Sequence, residues 1–282
     1  MTVQTAYSSA ERAELRGLPD SHGRVLPWLI VLFIGSGCSA LIYEVVWLQS
    51  LQLVVGSSAV SLGVLLGTYM GGMCLGSLLL PRAVSANRHP LRVYALLELG
   101  IGLCGVLLLF GLPGVNRLYA LHLGHGSPDI LMRGVVSAVC LLPPTVLMGA
   151  TLPAIARWVR ATPQGVSWLG FFYGGNIAGA VLGCLLAGFY LLRVHDRAVA
   201  TFAAAALNVA VALPALLLAW QIPHRPSTED QGPVVAEHPC IERPVGTPRP
   251  IATYVVIALS GFCALGAEVV WTHVLSLLLG GT

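Results

Sequence analysis

The chain of 282 residues reads as an all-α protein, a polytopic bundle of membrane helices, on three observations. Hydrophobic residues make up 56% of it and charged residues 10%, with a mean hydropathy of +0.81, which leaves too little polar surface for a soluble globule of this length. Apolar runs long enough to cross roughly 30 Å of hydrocarbon alternate with short stretches that collect arginine and proline. The first run is also written twice: Ser36 to Ser58, SGCSALIYEVVWLQSLQLVVGSS, matches Ser260 to Thr282, SGFCALGAEVVWTHVLSLLLGGT, at 11 of 23 positions. A duplicated unit implies two structurally equivalent elements.

The repeat places Glu44 on Glu268, and at 100° per residue the shared Ser36, Ala40, Glu44, Trp47 and Leu51 share one helical face. A carboxylate inside an apolar helix costs about 2.5 to 3.5 kcal/mol on insertion scales, so this face is expected to turn toward protein or water. Two roles fit Glu44: a coupling or substrate carboxylate lining a cavity, or a structural residue bonded to a neighbouring helix.

Residues 1–24 are polar, carry both signs of charge and read as a cytoplasmic tail. The apolar run from Val25 to about Gly56 is far longer than a signal h-region and lacks a small-x-small cleavage site, so it is expected to remain as the first membrane helix. The second, Ala59 to Leu80, carries Gly63, Gly67, Gly71, Gly72 and Gly76, which puts small residues at four-residue spacing, a pattern that permits close helix packing in lipid, with Gly63, Gly67 and Gly71 as the candidate packing residues. A third helix, about Leu91 to Leu112, follows a basic loop; Glu98, six residues past Arg92, is expected near the interface, paired with an arginine. Gly100, Gly102 and Gly105 spell GxGxxG within that helix, but a dinucleotide fingerprint needs a preceding strand and a loop.

Residues 113–131 read as the longest loop of this part, with His122, His125 and Asp129 as solvated groups and not metal ligands. The fourth segment, about Met132 to Trp158, contains Pro143, Pro144 and Pro153 and is expected to bend around an interior space. The fifth, about Trp168 to Leu192, sets Gly175, Gly179 and Gly183 at four-residue spacing with Asn176 at their edge, for which helix packing with an interhelical hydrogen bond and ligand contact both remain open. The sixth, about Ala198 to Trp220, is alanine-rich and holds Asn208 and Pro214. Together 25–220 form a six-helix bundle; 221–250 is a polar, proline-rich linker; 251–282 is a seventh membrane helix.

All 15 basic residues are arginine, and their scatter over loops gives no nucleic-acid surface. Placing the tail, the second-to-third loop, the fourth-to-fifth loop and the linker on one side collects 11 arginines against 4, which puts the amino terminus in the cytoplasm. Six of the seven cysteines lie in apolar runs and suit small buried hydrophobes rather than disulfides or zinc. No motif calls for a metal or a cofactor, and no catalytic motif is visible.

Four motifs in order, SALIYEVVW, VYALLELGIG, LLPPTVLMGATLPAIAR and YGGNIAGAVLGCLLAGF, resemble the membrane part of the bacterial proteins that fuse a major facilitator superfamily transporter to a spermidine synthase. The resemblance covers roughly 28–220 and resumes at 251, where LSGFCALGAEVVW looks like the start of a second membrane half. It departs from the major facilitator signature between helices two and three, where Pro81 and Arg82 stand in place of an Asp-Arg pair.

The resemblance implies a major facilitator-like six-helix half plus the first helix of a second half, in a bacterial inner membrane. It also implies a fragment whose full form carries further helices and a cytoplasmic aminopropyltransferase-like domain. The expected function is a membrane domain that binds or moves polyamine-type cations, with Glu44, Glu268 and Asn176 as candidate ligand contacts. The alternative is a scaffold that anchors the synthase and transports nothing.

Overall fold

The computed structural model describes residues 21–55, 58–85, 88–122, 127–160, 165–221 and 250–279. The tail at 1–20 and the linker at 222–249 lie outside them. Seven long helices account for nearly all of the described residues: α1 (Ser21–Val55), α2 (Ser58–Ala83), α3 (Pro90–His122), α4 (Ser127–Arg160), α5 (Gly165–Leu186), α6 (Arg197–Gln221) and α7 (Pro250–Leu279). Each carries a stretch long and apolar enough to cross a membrane, 23 to 28 residues in all seven, the fifth running past the end of α5 to Val194. In hydrocarbon the backbone must satisfy its own hydrogen bonds, and helices are the local way to do so. The chain is therefore a multi-pass membrane protein.

Two elements differ from the sequence expectation. The segment 113–131 is not a long loop: α3 runs on through Pro113 to His122, and α4 begins at Ser127. The membrane-compatible stretch of α3 ends at Gly114, so its last eight residues extend about 12 Å beyond that stretch. Hydropathy marks where hydrocarbon ends, whereas helical hydrogen bonding continues past it. The side chains of His122, His125 and Asp129 lie outside the described residues. Near its end α5 widens into a π-helical turn, Ala187–Leu191, which buries Ala187 and Leu191 against the bundle before a last short turn, Leu192–Val194.

Helices meet where glycine removes the side chain from the contact. A Cβ on Gly179 or Gly183 of α5 would run into the main chain of α1 at Ile34 or Cys38, and one on Gly37 would run into the Asn176 carbonyl. Gly175 sits against Ile30 in the same seam. On α2 the close face is a different one from that expected. Gly63, Gly67 and Gly71 face open space, and it is Gly72 and Gly76 that press on Thr145 and Val146 of α4, with Gly149 of α4 against Met73. Residue spacing identifies both glycine rows of α2 but does not say which one a neighbour occupies.

The buried side chains form two apolar clusters along the bundle. One gathers Leu29, Phe33, Leu91, Tyr94, Ile155, Phe172 and Ala212; the other gathers Ile42, Tyr43, Trp47, Leu51, Ile101, Leu141 and Ala204. On α1, α3 and α6 the chain passes from one cluster to the other through a polar residue: Ser36, Glu98 and Asn208, all buried. The six-helix core therefore has a polar waist. α7 stands at its periphery touching α2, and among its described side chains only Leu265, Ala267 and Val269 are partly covered.

Candidate functional site

A cavity of about 480 Å³ opens beside the waist, walled by α1, α2, α4 and α5, with Glu98 of α3 on one side and Glu268 of α7 on another. Its position follows from local sequence. The glycine seam holds α5 against one flank of α1, which brings Asn176 and Tyr173 to the edge of the cavity. Ser36, Ala40 and Glu44, spaced one turn apart, present a second flank of α1 to the interior. Gly149 lets α4 approach α2 at Met73, and Met148, Thr151 and Leu152 of α4 then complete the wall with Tyr69 and Met70 of α2.

The three residues that sequence singled out as ligand contacts, Glu44, Glu268 and Asn176, all line this one cavity. Glu44 is half-buried and makes no hydrogen bond among the described residues. Glu268 is exposed, on the open side, and the two carboxylates are near enough for their charges to interact. The Asn176 side chain makes no interhelical hydrogen bond among the described residues; its main-chain carbonyl instead packs on Gly37. Tyr69, in range of Glu44, has its hydroxyl 3.5 Å from the Ala40 carbonyl.

Glu98 corrects the expectation of an interfacial carboxylate paired with arginine. It is 0% exposed, and its partners are neutral. The Ser36 hydroxyl donates to Oε1 at 2.6 Å, and the Asn208 amide donates to Oε2 at 3.0 Å and to the Glu98 main-chain carbonyl at 3.2 Å. Tyr94, one turn earlier, is stacked on Phe33 with ring centroids 5.4 Å apart and lies beside the same carboxylate. Distance from Arg92 along the helix suggested the interface, but the side of α3 that bears Glu98 is the side packed against α1 and α6. Asn208 had no assigned role in sequence. The usable signal was that two lone polar residues in apolar helices tend to be each other's partners.

The chemistry of the lining is one-sided. Among the described residues three carboxylates reach the cavity and no arginine or histidine does; the remaining polar groups are hydroxyls and an amide, and Phe33, Tyr69 and Tyr173 supply aromatic surface. Such a lining attracts cations through charge and through aromatic faces. Among the described residues no three His, Cys, Asp or Glu side chains are grouped to hold a metal ion, and the six described cysteines are free thiols.

Compared with family models, with curated proteins and with solved structures, the chain finds no match.

Proposed function

We propose that this membrane domain binds an organic polycation of the polyamine type in the cavity between α1, α2, α4 and α5, as a transporter-like part of a protein resembling the fused facilitator and spermidine synthase proteins. The observation that carries the reading is the convergence of Glu44, Glu98 and Glu268 on one space with no basic side chain among the described residues of its lining. The cavity's 480 Å³ lies within the roughly 300 to 1,000 Å³ usual for small-molecule sites. A chain of amines separated by methylenes matches carboxylates set among methionine and aromatic surface: the ammonium groups meet charge and the methylenes meet Met70, Met73 and Met148.

The test is binding and uptake of labelled spermidine by the purified chain in lipid vesicles, beside Glu44→Gln. Removing one charge from a charge-assisted contact is expected to weaken binding about 10-fold to 100-fold. Equal binding by the wild type and the variant, or equal binding of a neutral triol of similar length, sinks the reading. No binding at all favours a non-transporting scaffold for a synthase-like domain.

A further inference from the structure

At the arginine-rich end of the bundle lies a second hollow, of about 1070 Å³, between the end of α2, the start of α3 and the last turn of α6. Its lining changes character with depth. Arg88 and Arg92 stand at the mouth, and the walls continue through Leu80, Leu97 and Leu147. Leu97 is about 7.5 Å farther along α3 than Arg92. Trp220, exposed at the end of α6, flanks the opening, in the manner of tryptophans at the boundary between headgroups and acyl chains. Among the described residues no acidic side chain lines the hollow.

The arginines of this end fall into two kinds. Arg157 donates to the Val84 carbonyl at 2.9 Å and to the Pro81 carbonyl at 3.1 Å, and Arg82 donates to the Leu78 carbonyl at 3.0 Å. Those two guanidiniums are committed to the main chain and fix the segment that leaves α2. Arg88 and Arg92 make no side-chain hydrogen bond or ion pair among the described residues. A guanidinium is built to hold a phosphate through two parallel hydrogen bonds. A soluble phosphate would use the two charges and leave the leucine walls unmatched. A molecule with an anionic phosphodiester at one end and hydrocarbon at the other uses both.

We propose that this hollow is a binding site for an anionic phospholipid, its phosphate held by Arg88 and Arg92 and an acyl chain laid along Leu80, Leu97 and Leu147. The inference is independent of the cation cavity.

The experiment is native mass spectrometry of the full chain in detergent, titrated with phosphatidylglycerol and with phosphatidylcholine of the same acyl chains. Phosphatidylglycerol is expected to be retained in preference, and Arg88→Gln with Arg92→Gln is expected to lower its affinity roughly 30-fold. Arg193→Gln, an exposed arginine in the short turn between α5 and α6, is expected to change nothing. Equal retention of the two lipids overturns the proposal, as does a preference that survives the double substitution or is lost equally in Arg193→Gln. Glycerol phosphate competing as well as the intact lipid overturns it too, because the site then reads phosphate alone. Melting in detergent without lipid checks that the double variant is folded; if it is not, each single substitution is read instead, with a loss of roughly 5-fold expected.

Discussion

α1 and α7 carry the same sequence unit in two different surroundings. Trp47 of α1 is 2% exposed and stacked on Tyr43 with centroids 5.4 Å apart, whereas the equivalent Trp271 of α7 is 69% exposed. Gly37 lies against the Asn176 carbonyl; its counterpart Gly261 has nothing within 4 Å of where a Cβ would be. Ser36 donates to Glu98, while Ser260 is exposed. Only the glutamates share a destination, since Glu44 and Glu268 line one cavity. The repeated residues thus specify a helix with an inward face, and the partners supplied by α5, α3 and α6 decide whether this face stabilises anything.

Three paired substitutions, one on each helix, measure how far the two surroundings diverge. The tryptophans should differ most. Trp47→Ala should destabilise the bundle by about 3 to 5 kcal/mol, and Trp271→Ala by less than about 0.5 kcal/mol, read from denaturant unfolding in micelles. Equal losses would mean that α7 is packed as deeply as α1.

Next is the glycine pair. A methyl group on Gly37 forces α1 and α5 apart, so Gly37→Ala should cost about 1 to 3 kcal/mol. Gly261→Ala meets open space and should leave stability unchanged or raise it by up to about 1 kcal/mol through helix propensity. Thermal melting of both variants decides it.

The smallest effect is at serine. Ser36→Ala removes a donor to a buried carboxylate and should cost about 0.6 to 1.7 kcal/mol, the range of polar contacts between membrane helices. Ser260→Ala should fall within about 0.5 kcal/mol of wild type. A neutral result at Ser36 would show that Asn208 alone satisfies Glu98.

What the sequence made legible follows the range of the physics involved. Membrane crossing depends on local hydropathy, so the seven spans are readable within a few residues, except where α3 and α4 continue beyond the lipid-compatible stretch. The close seam of α5 is partly readable, because Gly175, Gly179 and Gly183 form its one row of three glycines, beside the row of Gly170, Gly174 and Ala178 at the same spacing that meets no neighbour at its glycines. α2 defeats the same reasoning: it carries two rows, and only the neighbouring α4 selects Gly72 and Gly76 over Gly63, Gly67 and Gly71. Glu44 and Glu268 stand out in the sequence through their repetition. The surroundings of Glu98 are not legible locally, because its partners, Ser36 and Asn208, are 62 and 110 residues away, and no local pattern joins them.

The hydrogen bonds of the waist have a mechanical consequence. Sliding α3 by one residue along its own thread would displace Glu98 by about 1.5 Å and swing it through about 100°, enough to detach it from both donors. The Ser36, Glu98 and Asn208 contacts thus act as a pin through three rods, locking α1, α3 and α6 at a common height. Any rocking of this bundle carries those three as one block, and the shear falls on the seams that lack such a fastening.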